Sequence, residues 1–476
     1  KRFVSGTISE EVLLSLQELK LSQRQLSLKV DALNTTQPSM SDAQIGDNTL
    51  KACKPEEMSG NRYDGPSMLT DDEALVLKGL KPENELVKYL APKLRALVPE
   101  DSCQVLVNSE KHAWIETGLE PKFFRKPDMF VVLSSFWTVR GGEERKSDEG
   151  VLSEWKLRDG VAVLLEAKLA AKNEVIGQLV NGMRLLHSNE KFPWKRFGVA
   201  LMSKEFFVLE FCGDKVYKIE RCGWAEKGGL ELLKKALSHG TFWSFVSARL
   251  CAGLGVKLVG DGKGFLGMGA FGRVVRCERT TDGKLLALKM VMGNEQDVKR
   301  LEAEFSSLWH AGEVCEDHVI KVKEIASSGE VGEGMFFCGY TMELGEEVDF
   351  GSLKVRGACL EALMQIHVSG WCHGDARAAN VVKVKLDYKF VDFLLANHFI
   401  GQNGRKCVAR DVTEFTKSLS GRVQKVSSSE AKLPRRLPQL IDEYAACFEN
   451  AVIDKEGAKK CMKEIIAVMT SAEEND

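Results

Sequence analysis

The sequence predicts an N-terminal helix followed by two folded units: an α/β unit with a mixed sheet, then a compact two-lobed α+β unit. Its 476 residues exceed what one hydrophobic core organises, so at least two domains are expected. In the first half, a helix follows one strand and precedes the next, which is typical of a mixed sheet. In the second half, a glycine-rich run lies between β-prone residues, which indicates a hairpin and not a strand-to-helix turn.

Composition and charge limit the partners and the compartment that we expect for the chain. The formal net charge of −2 gives no global attraction to nucleic acid or to an acidic membrane, so such binding must come from a local patch. No apolar run approaches the roughly 20 residues needed to span a bilayer, and we expect no membrane partner. The 13 cysteines are odd in number and form no CxxC pair, which is typical of reduced thiols in a cytosol or nucleus. Because the chain opens at Lys1, we expect a trimmed chain or a removed leader.

Five segments are expected along the chain. Residues 8–33, within an N-terminal segment over 1–45, predict a helix because apolar residues recur at alternating three- and four-residue steps. A short coiled coil that makes a dimer and a helix packed on the body both fit this pattern. The other expected segments are a linker over 46–69, the first unit over 70–222, a helical connector over 223–259 and the second unit over 260–476.

Three residues of the first unit carry chemistry. Asp128 stands at the start of an apolar strand, and Glu166 and Lys168 are two apart in another. Residues two apart in a strand project to one face, so these two side chains lie together. Two carboxylates beside a lysine can hold Mg²⁺ and stabilise the charge that develops in phosphodiester cleavage. The alternative is an incidental charged pair near a strand end.

The order of elements around these residues is more specific than the residues alone. A helix, the Pro-Asp strand, the ExK strand and a helix with Gln178 together resemble the PD-(D/E)xK, or restriction-endonuclease-like, superfamily. The resemblance implies that Asp128 and Glu166 bind metal and that both act in catalysis with Lys168 and Gln178. Glu85 on the opening helix matches an extra acid of some members. A solvated helix face is the alternative for Glu85 and Gln178, and it is the favoured interpretation for Glu85.

Basic residues interleaved with aromatic residues flank this predicted site and could grip a phosphate backbone. They are Lys122, Arg125, Lys126, Lys191, Lys195 and Arg196. The predicted partner is nucleic acid, with DNA favoured over RNA. A solvated basic face is the alternative.

A phosphate-binding hairpin is predicted at the start of the second unit. Gly267, Gly269 and Gly272 form a GxGxxG pattern, and Val274 follows it. This pattern alone is weak, because glycine-rich turns are common. Seventeen residues after the last glycine, Lys289 lies within an apolar strand, where a lysine is costly to bury without an anionic partner.

The partner predicted for Lys289 is Glu304, in a helical stretch. Glu302 is the competitor, but Glu304 has Leu308 four residues on, in the register of a helix that faces a core.

A phosphoryl-transfer loop is predicted within "HGDARAANVVKVKLDYKFVDF", residues 373–393. Asp375 can accept the proton of an attacking hydroxyl. Asn380 and Asp392 can present oxygens to Mg²⁺ that bridges the phosphates of ATP.

The glycine loop, the strand lysine, the helix glutamate and this loop follow the order of the protein-kinase-like fold, which the second unit resembles. The resemblance implies ATP and Mg²⁺ as cofactors and phosphorylation of protein or of the chain itself. It implies that Met342 is the gatekeeper of the hinge and that Glu343 offers backbone contacts to adenine. Arg377 takes the place of a phosphate-contacting lysine.

Gly374 and Leu394 depart from the kinase pattern near the loop, and Asp411 agrees with it. Gly374 stands where such kinases carry an arginine, so control by phosphorylation of an activation segment is not expected. Leu394 replaces a glycine after Asp392. The resemblance also implies that Asp411, in a helical stretch after the loop, anchors the catalytic loop as a helix-borne aspartate does in kinases. The alternative to an active enzyme is a pseudokinase that binds ATP for structure or regulation.

A nuclease-like unit joined to a kinase-like unit resembles Crinkler-type effectors, which are secreted, translocated into host cells and commonly act in the host nucleus. The resemblance implies a bifunctional enzyme that cleaves nucleic acid with Mg²⁺ and phosphorylates with ATP. Two other hypotheses stay open. One is a kinase whose nuclease-like unit only binds DNA or docks, and the other is a non-enzymatic effector whose ATP occupancy sets its domain arrangement.

Overall fold

The computed structural model describes residues 2–3, 41–57, 65–99, 102, 104–109, 115–116, 124–125, 127–136, 160–187, 195–213, 215–259, 264–268, 272–331, 334–399, 403–424, 433–450 and 452–471. The helix predicted over 8–33, and the dimer it could form, lie outside these residues. The described helices, α1 to α11 in chain order, are Asp42–Ala52, Asp71–Gly79, Glu83–Arg95, Lys172–His187, Gly229–Leu237, Phe242–Leu254, Glu295–Val314, Leu353–Val368, Asn403–Gln424, Leu437–Ala446 and Lys455–Ser471.

The described strands, β1 to β21 in chain order, are Arg2–Phe3, Glu56–Glu57, Gln104–Asn108, Ile115–Glu116, Phe124–Arg125, Met129–Leu133, Val161–Lys168, Lys195–Met202, Glu205–Cys212, Lys215–Gly223, Val256–Leu258, Phe265–Met268, Gly272–Arg279, Leu285–Gly293, Val322–Ser327, Phe336–Glu343, Glu346–Glu347, Trp371–Cys372, Val381–Val384, Asp387–Phe390 and Asn397–His398. None of the described helices has the length and apolar composition that crossing a membrane requires. The cysteines within the described residues are free thiols.

The chain divides into two compact units, and each contains both helices and sheets, as expected. The first unit is Gly6–Arg249 with Leu258–Phe265. The second unit is Leu250–Lys257 and Leu266–Asp476, with Lys1–Ser5 added to it.

A seven-stranded sheet forms the centre of the first unit, in the order β2-β10-β9-β8-β7-β6-β3. β3, β6 and β7 are antiparallel neighbours, and β8 runs parallel to β7 because α4 connects them. Val163 and Leu165 of β7 share a core with α2, α3 and α5, whereas Leu164 lies against α4. Helices therefore cover both faces of β7, which explains its nearly continuous apolar sequence.

The linker expected over 46–69 is wrong, because its first part folds onto the first unit. α1 begins after Ser41, which caps it, and packs against α4. The two helices approach so closely that a Cβ on Gly46 or Gly177 would lie 1.7 Å from a carbonyl oxygen of the other helix. Ile45 and Gly46 are the buried residues of α1, so the rest of its sequence is polar and resembles a linker.

The connector expected over 223–259 is also corrected. α5 lies within this range, and four of its residues belong to the core of the first unit, so it is part of that unit and not a link between domains. They are Leu232, Leu233, Ala236 and Leu237. Its amphipathic pattern is that of any helix with one buried face, which gives no sign of the unit it joins.

Glu210 on β9 is a buried carboxylate held by two lysines and a tyrosine. Its oxygens lie 2.7 Å from Lys195 Nζ and 3.1 Å from Lys235 Nζ, and Tyr217 donates its hydroxyl to it. Burial opposes the negative charge, but these three partners outweigh it and lower the pKa of Glu210 to about 2. The ionised carboxylate therefore stabilises the folded unit.

We expect Glu210→Gln to lower the free energy of unfolding by about 3 kcal/mol near neutral pH, which corresponds to the lowered pKa. A carboxyl group with a lowered pKa stabilises the fold above its ordinary value of 4.5, and this stabilisation is lost as the pH falls towards 2. The free energies of unfolding of the variant and of wild type should therefore approach each other as the pH falls from 4.5 towards 2. Hydrogen exchange of the β9 amides measures both free energies.

Glu231→Gln is the matched control for this prediction. Glu231 pairs with Lys234 one helical turn away, and both side chains are exposed, so this variant should change stability little. If Glu210→Gln lowered the free energy of unfolding equally at neutral pH and at about pH 3, the ionised state assigned to the Glu210 carboxylate would be contradicted.

The second unit has a sheet part and a helical part. Its sheet runs in the order β1-β15-β16-β14-β13-β11, and β12 pairs with β13. α7 begins after Asn294, which caps it, and packs on β14, β15 and β16. The helical part contains α8 to α11 and two small groups of strands, β17-β19-β20 and β18-β21. One apolar cluster runs through both parts, from Leu308 and Tyr340 to Leu363 and Phe415.

Candidate functional site

In the first unit, Asp128 and the ExK pair meet at neighbouring strand ends. Asp128 precedes β6, and the antiparallel register of β6 and β7 places it opposite Glu166. Asp128 Oδ2 accepts a hydrogen bond of 2.6 Å from the N–H of Ala167. Because Ala167 belongs to the core on one face of β7, Glu166 and Lys168 project to the other. The structure thus brings the three predicted residues together.

Lys168 lies among acidic side chains. Its Nζ is 3.1 Å from Glu83 Oε2 and 3.7 Å from Glu174 Oε1. Partial burial opposes its positive charge, but Glu83, Glu174 and Asp128 outweigh this effect and raise the pKa of Lys168. The lysine is therefore protonated at neutral pH and can act as a fixed cation.

The opening helix α3 supplies Glu83 to this site, whereas Glu85 lies on a solvated helix face, which is the interpretation favoured from the sequence. Glu85 is exposed and pairs with Lys88 at 2.6 Å on the same helix. Glu83 is the first residue of α3 and Glu174 lies in the first turn of α4. Acidic residues are common in first turns because they complement the helix dipole. The sequence therefore gives no sign that Glu83 and Glu174 belong to a site.

Gln178 lies on α4 one turn after Glu174, and its Nε2 is 3.4 Å from Glu174 Oε1. This contact connects Gln178 to the surroundings of Lys168 through Glu174. The structure therefore links Gln178 to the site indirectly, through a helix neighbour.

The predicted basic surface is only partly described. Lys122, Lys126 and Lys191 lie outside the described residues, and of Arg125 the structure gives its place in β5. Lys195 pairs with Glu210, and Arg196 is 2% exposed. Arg196 therefore does not contact a phosphate backbone, because it lies inside the fold, and the Lys195 ammonium group is held by the buried Glu210.

In the second unit, Lys289 on β14 lies between two carboxylates. Its Nζ is 2.6 Å and 2.8 Å from the oxygens of Glu304 on α7, and 3.1 Å from Asp392 Oδ1. Burial opposes the charge of Lys289, but the two carboxylates outweigh it and raise its pKa. The predicted pairing of Lys289 with Glu304, and not with Glu302, is confirmed.

The predicted catalytic loop is held in place by hydrogen bonds. Asn380 Nδ2 lies 2.9 Å from the carbonyl oxygen of Asp375 and 3.2 Å from its Oδ2. Arg377 Nη2 lies 2.5 Å from the same Oδ2. Asp411 on α9 accepts hydrogen bonds from the N–H groups of His373 and Gly374, at 2.6 Å and 2.9 Å. The expectation that Asp411 anchors the loop is confirmed.

Gly374 is required by the backbone of this loop. Its φ of +80° lies in the left-handed region, and a Cβ there would lie 2.1 Å from the carbonyl oxygen of Leu395. An arginine at this position does not fit the observed backbone. Asp392 also has a positive φ, of 67°, which turns its carboxylate towards Lys289.

Apolar residues surround Lys289 on one face of the sheet. Val274 on β13 and Tyr340 on β16 both lie opposite Lys289, so the three side chains share that face. Two residues away, Met342 lies opposite Ala287 on the same face. Val274, Ala287 and Met342 could cover a flat base beside the charged groups. Ala287 was missed because an alanine within an apolar strand carries no signal.

The glycine loop is described in part. A Cβ on Gly272 would lie 2.9 Å from the carbonyl oxygen of Met290, so β13 approaches β14 closely here. Among the described residues, nothing would come within 4 Å of a Cβ on Gly267. Gly269 lies outside the described residues.

The backbone N–H of Glu343 is not free for adenine, which corrects part of its predicted role. It donates to the carbonyl oxygen of Lys321 at 3.0 Å. The Glu343 carboxylate accepts hydrogen bonds from Lys389 Nζ at 3.1 Å and from the N–H of Lys321 at 3.2 Å. Glu343 therefore joins β16 to neighbouring elements.

Within the described ranges, no three His, Cys, Asp or Glu side chains are grouped closely enough to hold a metal ion by themselves. Mg²⁺ in phosphate-handling sites is commonly held by one or two carboxylates together with substrate phosphates and water. Asp392 with Asn380, and Asp128 with Glu166, are donor sets of this size. They fit an ion that the substrate helps to bind, and not a cage made by protein alone.

A cavity of about 570 Å³ between α7 and β15 contains none of the predicted site residues. Phe305, Trp309 and Ile325 form the apolar part of its lining. The ionic cluster around Lys289 marks the chemistry of this unit better than cavity size does, because phosphate binding needs charge.

No protein-family model matches the chain, and no curated protein is significantly similar to it. The two clusters of side chains, around Lys168 and around Lys289, are therefore the features that indicate a function.

Proposed function

We propose that the second unit is an ATP- and Mg²⁺-dependent phosphotransferase of the protein-kinase-like fold, acting on protein or on itself. The observation that carries this proposal is Lys289, buried and held by Glu304 and Asp392. A strand lysine paired with a helix glutamate is the arrangement that aims an ammonium group at nucleotide phosphates. Bound Mg²⁺–ATP supplies the phosphoryl group that is transferred.

The residues around Lys289 take separate roles in this proposal. Asn380 and Asp392 would hold Mg²⁺, and Val274 with Met342 would cover the adenine. Asp375 accepts the proton of the acceptor hydroxyl, because its carboxylate is oriented by Asn380 and is partly exposed.

Arg377 and Asp411 support this chemistry from the catalytic loop. Arg377 keeps a positive charge beside the carboxylate of Asp375. Asp411 fixes the backbone of the loop through two N–H groups. These contacts favour an active phosphotransferase over a pseudokinase, since a degraded centre would not need an oriented base.

The proposal is tested by transfer of label from γ-labelled ATP by the whole chain and by its Asp375→Asn variant. Loss of the base should lower the transfer rate by about 10²- to 10⁴-fold and leave nucleotide affinity unchanged. Asp387→Asn, at an exposed position of the β19–β20 hairpin, is the matched control and should transfer at the wild-type rate. A wild-type chain that binds ATP but transfers no label would be a pseudokinase, and the proposal would fail.

The first unit supports a second candidate function. We propose that it is a Mg²⁺-dependent nuclease of restriction-endonuclease-like fold that prefers DNA to RNA. The proposal is supported by the order α3, antiparallel β3-β6-β7, α4 and parallel β8, with Asp128, Glu166 and Lys168 at one strand end. Asp128 and Glu166 would hold Mg²⁺, which supplies an activated water. Lys168 stabilises negative charge on the scissile phosphate.

We propose that the chain, which joins a nuclease-like unit to a kinase-like unit, is a Crinkler-type effector that is secreted and acts in a host nucleus. The sequence resemblance supports this assignment, and microscopy of the tagged chain in a host cell tests it. The alternative is a kinase or ATP-binding pseudokinase whose nuclease-like unit only binds DNA or docks. Plasmid cleavage by wild type and by Lys168→Ala separates this alternative from a bifunctional enzyme.

A further inference from the structure

Tyr340 donates its hydroxyl to Glu304 inside the site of the second unit. The distance to Glu304 Oε1 is 2.6 Å, and the tyrosine is 1% exposed. Tyr340 lies directly opposite Lys289 in the pairing of β16 with β14, so both side chains leave the sheet on one face. They therefore reach the same carboxylate from neighbouring strands. The roles proposed above do not use this hydroxyl.

We propose that Tyr340 is a positioning residue that keeps the Glu304 carboxylate aimed at Lys289, so that the nucleotide site is assembled without modification of the chain. This inference rests on the proposed nucleotide site of the second unit.

Glu304 needs a second donor because its cation is shared. Lys289 contacts both Glu304 and Asp392, so two carboxylates draw on one ammonium group. Glu304 is almost fully buried, and a buried carboxylate is costly unless its oxygens are hydrogen-bonded. The Tyr340 hydroxyl satisfies Oε1 independently of Lys289. Glu304 therefore keeps its orientation when Lys289 turns towards a phosphate.

The ring of Tyr340 is fixed by packing, which makes its hydroxyl a reliable donor. Phe305, next to Glu304 on α7, contacts the Tyr340 ring with centroids 5.6 Å apart. Tyr340 thus holds α7 through both a ring contact and a hydrogen bond. In this geometry the helix stays against the sheet with Glu304 turned inwards.

The charged and titratable groups that face Glu304 define a pH test. They are Lys289 from β14, Tyr340 from β16 and Asp392 from the segment after β20. Burial raises the pKa of Glu304 and Asp392 adds to this, while Lys289 and Tyr340 act in the opposite direction. Without the hydroxyl, the pKa of Glu304 rises further. Protonation removes the negative charge that holds Lys289, so a variant that lacks the hydroxyl should lose this contact before wild type does as the pH falls.

The experiment measures binding of Mg²⁺–ATP to the whole chain at about pH 8 and about pH 6. Tyr340→Phe should weaken binding about tenfold at the higher pH, since it removes a hydrogen bond to a charged group, and by more at the lower pH. The affinity of wild type for Mg²⁺–ATP should differ less between the two pH values. Tyr388→Phe, in the β19–β20 hairpin of the same unit, is the matched control and should bind as wild type does.

Testing Tyr340→Phe in a Glu304→Gln variant separates the effect of the hydroxyl on ATP affinity from the effect of ring packing. When Glu304 is already replaced by glutamine, Tyr340→Phe should cause no further loss of affinity and no added pH dependence, because the tyrosine acts through the carboxylate. An equal loss in both backgrounds would overturn the inference, and so would wild-type binding by Tyr340→Phe at both pH values. The proposed nucleotide site itself survives those results if Lys289→Ala still loses ATP, and it fails if Lys289→Ala binds normally.

Discussion

Replacing Lys289 by alanine is expected to weaken the binding of Mg²⁺–ATP by roughly 100-fold or more, which is the largest change in nucleotide affinity expected in the second unit. The variant loses the cation that the proposed site directs at the phosphates. It also leaves Glu304 and Asp392 facing each other without a counter-ion, and two unpaired carboxylates repel an anionic nucleotide. Calorimetric titration of the whole chain with ATP and Mg²⁺ measures the change.

The controls for this prediction must separate binding from folding. Glu304 is almost fully buried, so removing Lys289 also lowers stability, and Lys289→Met keeps more of the side-chain volume than alanine. Thermal unfolding identifies variants that are folded at the temperature of the titration. Lys299→Ala, which removes an exposed pair with Glu295 on α7, should bind ATP as wild type does. Unchanged affinity in folded Lys289→Met would rule out the proposed nucleotide site.

The pairing of Lys289 with Glu304 could be predicted because a buried ammonium group is costly unless a carboxylate is beside it. A lysine inside an apolar strand needs an anion, and Leu308 gave Glu304 the inward register of its helix. Asp411 was predicted differently, from the resemblance of the catalytic loop and the helix after it to those of kinases. For Lys289, one buried residue creates a demand that few other residues in the chain can meet.

The surroundings of Lys168 could not be predicted in the same way. Glu83 and Glu85 are both first-turn acids of α3, and a sequence has no rule that prefers one of them. The choice depends on how α3 meets the end of β7, which is a property of tertiary packing. Lys168 is also partly exposed, so it does not demand a partner as Lys289 does.

α1 and Gly374 show a second limit, which is set by backbone geometry. α1 resembles a linker because its close contact with α4 is made by Gly46 and Gly177, and glycine suggests flexibility when it is read alone. Gly374 reads as the loss of an arginine, yet its positive φ and the nearby Leu395 carbonyl leave no room for a side chain. A sequence shows which residue is present but not the space around it.

Replacing Lys168 by alanine is expected to lower the rate of plasmid cleavage in Mg²⁺ by about 10²- to 10³-fold, as removal of one fixed charge-stabilising group commonly does. Lys168 stands two residues after Glu166 and among three further acids, so it is the positive charge at the strand end where the phosphate would lie. The variant should fold, because Glu83 and Glu174 are partly exposed and water can solvate them.

Lys88→Ala is the matched control for Lys168→Ala, since it removes a lysine on α3 whose pair with Glu85 lies at the surface. It should cut plasmid at the wild-type rate, and all cutting should stop when Mg²⁺ is chelated. Equal cutting by Lys168→Ala and wild type would assign the activity to another site or to a contaminant. If wild type binds DNA but does not cut it, the first unit is a DNA-binding module. The chemistry of the chain then belongs to Lys289 and its partners.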